Sequence, residues 1–242
     1  MIRLGFAIDP GPTRSGAALV ELREDGWVHI VWGGHVESAG AELRQHMRSA
    51  ARVGAIVAIE HLHGYAYQAK RVAQLLETAQ AEGEIRGRAE QNWVEAAADP
   101  MCAAHALVVA GALPSPRAIE AVDWRGELCR SKTASDEQIR VVVEGICPVR
   151  PTLKADARPH VYDAAGLAIV ALARANNRRI ELPASVNRAL HLQQEAEKAK
   201  RAERKAAGLP AVDATKRSAT RAQSARRSEA ARRGWAERKA GA

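Results

Sequence analysis

The 242 residues carry 47% hydrophobic side chains but only 4% aromatic, with a single Phe, so a core must be built from Ala, Val, Leu and Ile. Three scattered cysteines, Cys102, Cys129 and Cys147, form no CxxC pair and no zinc-ligand spacing, which argues against a disulfide framework and for a reducing compartment. The formal charge of +8 is uneven: residues 185–242 hold 15 Lys or Arg against 6 Asp or Glu, and residues 1–184 hold 21 against 22.

A near-neutral body with a basic arm points to a polyanionic partner, nucleic acid before others. Asp9 interrupts the first apolar run and no signal-peptide core follows it. No apolar run reaches the ~20 residues that cross a bilayer. A soluble cytoplasmic protein with no membrane partner is the expectation.

In chain order, residues 2–8 (IRLGFAI) predict a short apolar strand that ends on Asp9, before the turn Pro10-Gly11. Residues 16–22 (GAALVEL) and 27–32 (WVHIVW) predict a second and a third strand. Residues 41–54 have helical spacing, with Leu43, Met47 and Ala50 on one face and Gly54 as cap. Residues 55–60 (AIVAIE) again form an apolar strand ending on a carboxylate, and such unbroken apolarity predicts burial on both faces.

A long helix is expected over about 67–89, and NWVEAA, 92–97, reads as a fifth strand. Residues 99–147 read as helical, interrupted by Pro114 and Pro116. Ser135 followed by Gln138 forms a capping-box pattern. The last core helix begins near His160 (HVYDAAGLAIVALARANN), and Pro183 ends the compact part. This order predicts an α/β fold, with a compact domain at 1–183 and a basic Ala/Arg/Lys-rich tail at 184–242. The tail reads as helical up to Gly208 and as low-complexity, disordered chain beyond it.

Asp9 and Glu60 close two strands, and Asp163 lies near the start of the last helix, where His160 at i−3 shares its face. Singly, each has a plainer role: turn former, solvated strand end, helix-terminus charge or cap. Together, three carboxylates and an imidazole at the carboxyl edge of a sheet would repel one another without a cation. Mg²⁺ or Mn²⁺ suits that oxygen-rich set. Two such ions ~4 Å apart serve phosphodiester hydrolysis.

AIDPG with Gly16, then AIE, then the late HxxDAAGLAIVAL resemble the RuvC family of Holliday-junction resolvases, in the ribonuclease H-like superfamily. AIEHLHG resembles its bacteriophage branch, and DWRGELCRSKTASDEQIR is similar to the segment with Trp and Lys before the family's final helix. The resemblance covers about residues 2–180. It implies a five-stranded mixed sheet flanked by helices and a homodimer that cleaves branched DNA. It also implies two metal ions per site on Asp9, Glu60, Asp163 and His160, with Asp156 as the alternative to His160.

Tyr65 or Tyr67 would stack on an opened junction, or would pack at the start of the following helix. Arg14, Arg130, Lys132, Lys154 and Arg158 are candidate phosphate contacts, and solvated loops are their plainer role. Arg226, Arg227, Arg232 and Arg233 form a DNA tether or dock a protein partner. Two other functions compete: an actin-like or sugar-kinase-like ATPase, and a non-catalytic DNA-binding module on the same fold. The absence of a repeat and of a late glycine-rich loop disfavours the ATPase.

Overall fold

A computed structural model of the chain describes residues 1–24, 26–61, 72–111, 116–148 and 150–208. Tyr65, Tyr67 and the four tail arginines lie outside the described residues. The chain divides into two compact units, Met1–Leu190 and His191–Ala242.

The first unit is built on a mixed five-stranded sheet in the order β3-β2-β1-β4-β5. Strands β1 (Leu4–Asp9), β2 (Arg14–Leu22) and β3 (Val28–Glu37) form an antiparallel meander. Strands β4 (Ile56–His61) and β5 (Arg117–Glu120) extend it in parallel from β1. Helices α1 (Ala41–Arg52) and α2 (Val72–Ala98) cover one face, where Phe6, Ile8, Val57 and Ile59 meet Leu43, Met47, Ile85 and Ala89. The anticipated α1 stripe of Leu43, Met47 and Ala50 is buried, and Gly54 ends that helix with φ +69°.

The opposite face carries α6 (Arg158–Ala175), flanked by α4 (Ala121–Cys129) and α5 (Asp136–Ile146). Ser135 caps α5 as its sequence indicates, its Oγ accepting the Gln138 backbone N–H at 3.3 Å. Helix α3 (Ala103–Val109) links α2 to β5. Helix α7 (Ala184–Ala206) starts in the first unit, where Val186 and Leu190 are buried; in the second, Lys198 pairs with Glu195 at 2.8 Å.

The fifth strand is not NWVEAA. Residues 92–97 continue α2, which buries Ile85, Ala89, Trp93 and Ala96 at helical intervals while Val94 is 65% exposed. A strand would have alternated instead. The actual fifth strand is four residues long and buries only Ile119, too short to leave a period.

Alternation along the strands decides what faces α6. Gly5, Ala7 and Asp9 share that face of β1; Gly16, Ala18 and Val20 share it on β2; Ile56, Ala58 and Glu60 share it on β4. The small residues let α6 lie close. A Cβ on Gly16 would sit 2.3 Å from the His160 carbonyl oxygen, and one on Gly33 would sit 2.5 Å from Val161 Cγ1. Backbone meets backbone at Gly16, so no rotamer change relieves that contact. Gly16→Ala is therefore expected to cost about 1–3 kcal/mol by overpacking. Gly83→Ala, in open space on α2, should gain roughly 0.5–1 kcal/mol. Urea unfolding midpoints check the pair, and an unchanged midpoint for Gly16→Ala would contradict the packing.

Candidate active site

The strand register places one residue from each strand in a single row across the sheet. His35 pairs with Gly16, Gly16 with Asp9, and Glu60 with Ile119. The β1–β4 pairing ends at Ile8 and Ile59, so the next step sets Asp9 beside Glu60. Both carboxylates therefore lie at the carboxyl edge of parallel strands, on the face that α6 crosses. Helix α6 supplies the rest: Arg158 and Pro159 start its first turn, His160 follows, and Asp163 comes one turn later.

His160 Nδ1 lies 3.3 Å from Asp9 Oδ2, with the imidazole half exposed and Asp9 mostly buried. That bond holds the His160 pKa above its ordinary value, against partial burial. Glu60 is buried, which raises its pKa well above the usual range, and its hydrogen bond to Asp9 raises it further. Two carboxyls can bond only with a proton between them. Asp163 is pushed up to about 7, first by burial; Arg125 opposes the shift, and Asp9 and Asp136 add to it.

Four residues without an assigned role in the sequence reading belong to this site. Trp124, fully buried, donates Nε1–H to Glu60 Oε1 at 3.2 Å. Its neighbour Arg125 donates to Asp163 Oδ2 at 2.9 Å, with its guanidinium 5.2 Å from the Trp124 ring centre. Two consecutive residues of α4 thus hold the two buried carboxylates. Asp136, the first residue of α5, acts electrostatically on both Asp163 and His160. His35 stacks on His160, ring centres 4.6 Å apart. Sequence spacing could reveal none of these, except that Trp124, Arg125 and Asp136 lie in the stretch that carried the family resemblance.

The basic candidates separate. Arg14 lies at the sheet edge and donates to the His35 carbonyl. Arg158 is the first residue of α6, and Lys154 is exposed in the preceding loop. Lys132 is exposed beyond α4. Arg130 bonds the Glu127 and Ile180 carbonyls, beyond the C-terminal end of α6 and away from the carboxylates at its start. Asp156 is exposed and acts on His35, so it is His160 that joins Asp9 directly.

Among the described residues no three His, Cys, Asp or Glu side chains gather round one point as in a formed metal centre. The donor set nevertheless fits a hard cation. Asp163 Oδ1 is buried with no hydrogen-bond partner, and the Arg125 guanidinium stands where a cation would neutralise Asp163.

Sheet order, helix placement and this edge define a ribonuclease H-like α/β fold. Among solved structures, the chain resembles the Thermus thermophilus RuvC structure, at 19% identity and a TM-score of 0.50 over 74% of this chain and 99% of that one. T. thermophilus RuvC in complex with Holliday junction substrate aligns at 16% identity and a TM-score of 0.46, over 73% and 98%. No protein-family model and no curated protein matches the chain.

The raised carboxyl pKa values set a pH dependence. The folded chain holds the Asp163 proton more tightly than the unfolded chain does. That contribution to stability is complete below about pH 4 and is lost as pH rises through about 7. Asp163→Asn should therefore raise the melting temperature at pH 8 without divalent ions, by roughly 2–4 °C per kcal/mol, and leave it nearly unchanged at pH 4. Mg²⁺ should stabilise the parent chain at pH 8 but not the variant. Equal Mg²⁺ responses would contradict the metal assignment.

Proposed function

We propose that the protein is a metal-dependent, structure-selective endodeoxyribonuclease that cleaves Holliday junctions or other branched DNA. The observation that carries this reading is the carboxylate row: Asp9 and Glu60 side by side under α6, with Asp163 and His160 above them. The fold shared with RuvC and the sequence motifs support it.

Asp9, Glu60, Asp163 and His160 would hold Mg²⁺ or Mn²⁺, two ions per site. Bound there, the ions would polarise the scissile phosphate and lower the pKa of the attacking water. The chain's own residues do the rest. Trp124 fixes one Glu60 oxygen, so the carboxylate is oriented before any ligand arrives. Arg125 holds Asp163 in place through one oxygen and leaves the other free. With Nδ1 committed to Asp9, the His160 Nε2 is the nitrogen that would either take a metal ion or accept and deliver a proton. Arg14, Arg158 and Lys154, near this edge, would take phosphates of the passing strand.

Symmetrical cleavage of a four-way junction needs two sites, so the working unit is a homodimer. Residues 209–242, with Arg226, Arg227, Arg232 and Arg233, would tether DNA without sequence preference.

The deciding assay offers labelled four-way junction, flap, plain duplex and RNA–DNA hybrid to the full chain with Mg²⁺. Paired symmetrical nicks on the junction are expected. Asp9→Asn should abolish them while junction binding persists, and unchanged nicking by that variant would sink the assignment. Cleavage confined to the hybrid's RNA strand would move the reading to a ribonuclease H, and ATP hydrolysis without nicking to an ATPase.

Deleting residues 209–242 spares Val186 and Leu190, which belong to the core. It should weaken DNA binding and flatten its salt dependence by ~0.9 log units per log salt for each lost phosphate contact. Cleavage should survive at high enzyme concentration, and a dead truncation would place the tail inside the site.

A further inference from the structure

Half of the His160 imidazole faces solvent, and it stands in the first turn of α6. An exposed side chain at a helix start ordinarily exchanges rotamers within nanoseconds. One hydrogen bond to Asp9, at 3.3 Å, fixes a ring atom but leaves the ring free to rotate about that contact. The sheet supplies a second fixing point. Gly16 lies between Asp9 and His35 in the row, and the His160 backbone occupies the space above Gly16. The side chain of His160 is thus bracketed by the strands on either side: Asp9 from β1 and His35 from β3.

The two imidazoles are nearly parallel, with an interplanar angle of 18° and centres 4.6 Å apart. His35 is itself anchored, because Arg14 of the neighbouring strand donates to its carbonyl oxygen. Strand alternation also fixes its face: Gly33, two residues earlier, lies against Val161 of α6.

We infer that His35 is a positioning residue, an aromatic platform that sets the plane of the His160 ring and so the direction of Nε2. It acts through His160, the ring it stacks on. The inference rests on the nuclease reading for its consequence in catalysis, but not for its geometry.

Its role is that of a flat ring, so Phe should replace it and Ala should not. In the full-length, metal-free chain labelled at histidine nitrogen, long-range ¹H–¹⁵N spectra report the His160 ring, assigned by its loss in His160→Ala. His35→Ala should move the His160 nitrogen shifts toward those of a free imidazole, and His35→Phe should keep them near the parent values. With Mg²⁺ and a four-way junction, His35→Ala should lower kcat about fivefold at unchanged KM, the scale of one stacking pair, and His35→Phe should recover most of the loss.

Parent-like His160 signals in His35→Ala would overturn the inference. So would a His35→Phe protein as impaired as His35→Ala, because the nitrogens of His35 would then matter rather than its face. Should the parent chain cleave no DNA at all, the nuclease reading fails, while the nitrogen shifts still decide whether His35 sets the His160 ring.

Discussion

The close contact of α6 with the glycine and alanine face of the sheet is the constraint on which the site depends. At Gly5, Gly16 and Gly33 an added Cβ would fall within 3 Å of an α6 atom. The helix therefore has one depth and one register on the sheet. That register sets His160 over Gly16, beside Asp9, and brings Asp163 within the field of Asp9 and Arg125. A sheet with larger residues here would hold its helix farther off, and the same four ligand-capable side chains would not meet.

The site is held together against its own electrostatics. Burial alone favours neutral carboxyls at Glu60 and Asp163, and proximity to Asp9 favours them further. The raised pKa of Glu60, which favours its neutral form, and the guanidinium of Arg125 beside Asp163 relieve that tension. Such relief is partial, as the unpartnered Asp163 Oδ1 and Arg125 Nε show. Buried groups left in this condition cost stability and are typical of places where a ligand is expected to complete them.

Much of this was legible in the sequence, for identifiable reasons. Asp9 and Glu60 stand out because each terminates a run of apolar residues, and strand alternation then fixes the face they share. His160 and Asp163 stand out by their i, i+3 spacing. The fifth strand did not: NWVEAA offers only Trp93 and Val94 as strand-favouring residues, and its burial continues the three- and four-residue steps of Ile85 and Ala89. Four residues of real strand, Arg117–Glu120, carry no period to find. Trp124, Arg125, Asp136 and His35 reach the site only through register and helix packing, which a linear pattern does not encode. Arg130 shows the converse. Placed by sequence among phosphate contacts, its side chain is engaged by carbonyls past the far end of α6.

The central claim is that this carboxylate row exists to hold divalent cations. Crystals of the full chain grown with Mn²⁺ and measured at its absorption edge test it most directly. The account predicts anomalous density about 2.0–2.3 Å from carboxylate oxygens of Asp9 and Glu60, with Asp163 turned toward it. Manganese bound only elsewhere on the surface, with none at Asp9 and Glu60, would contradict it.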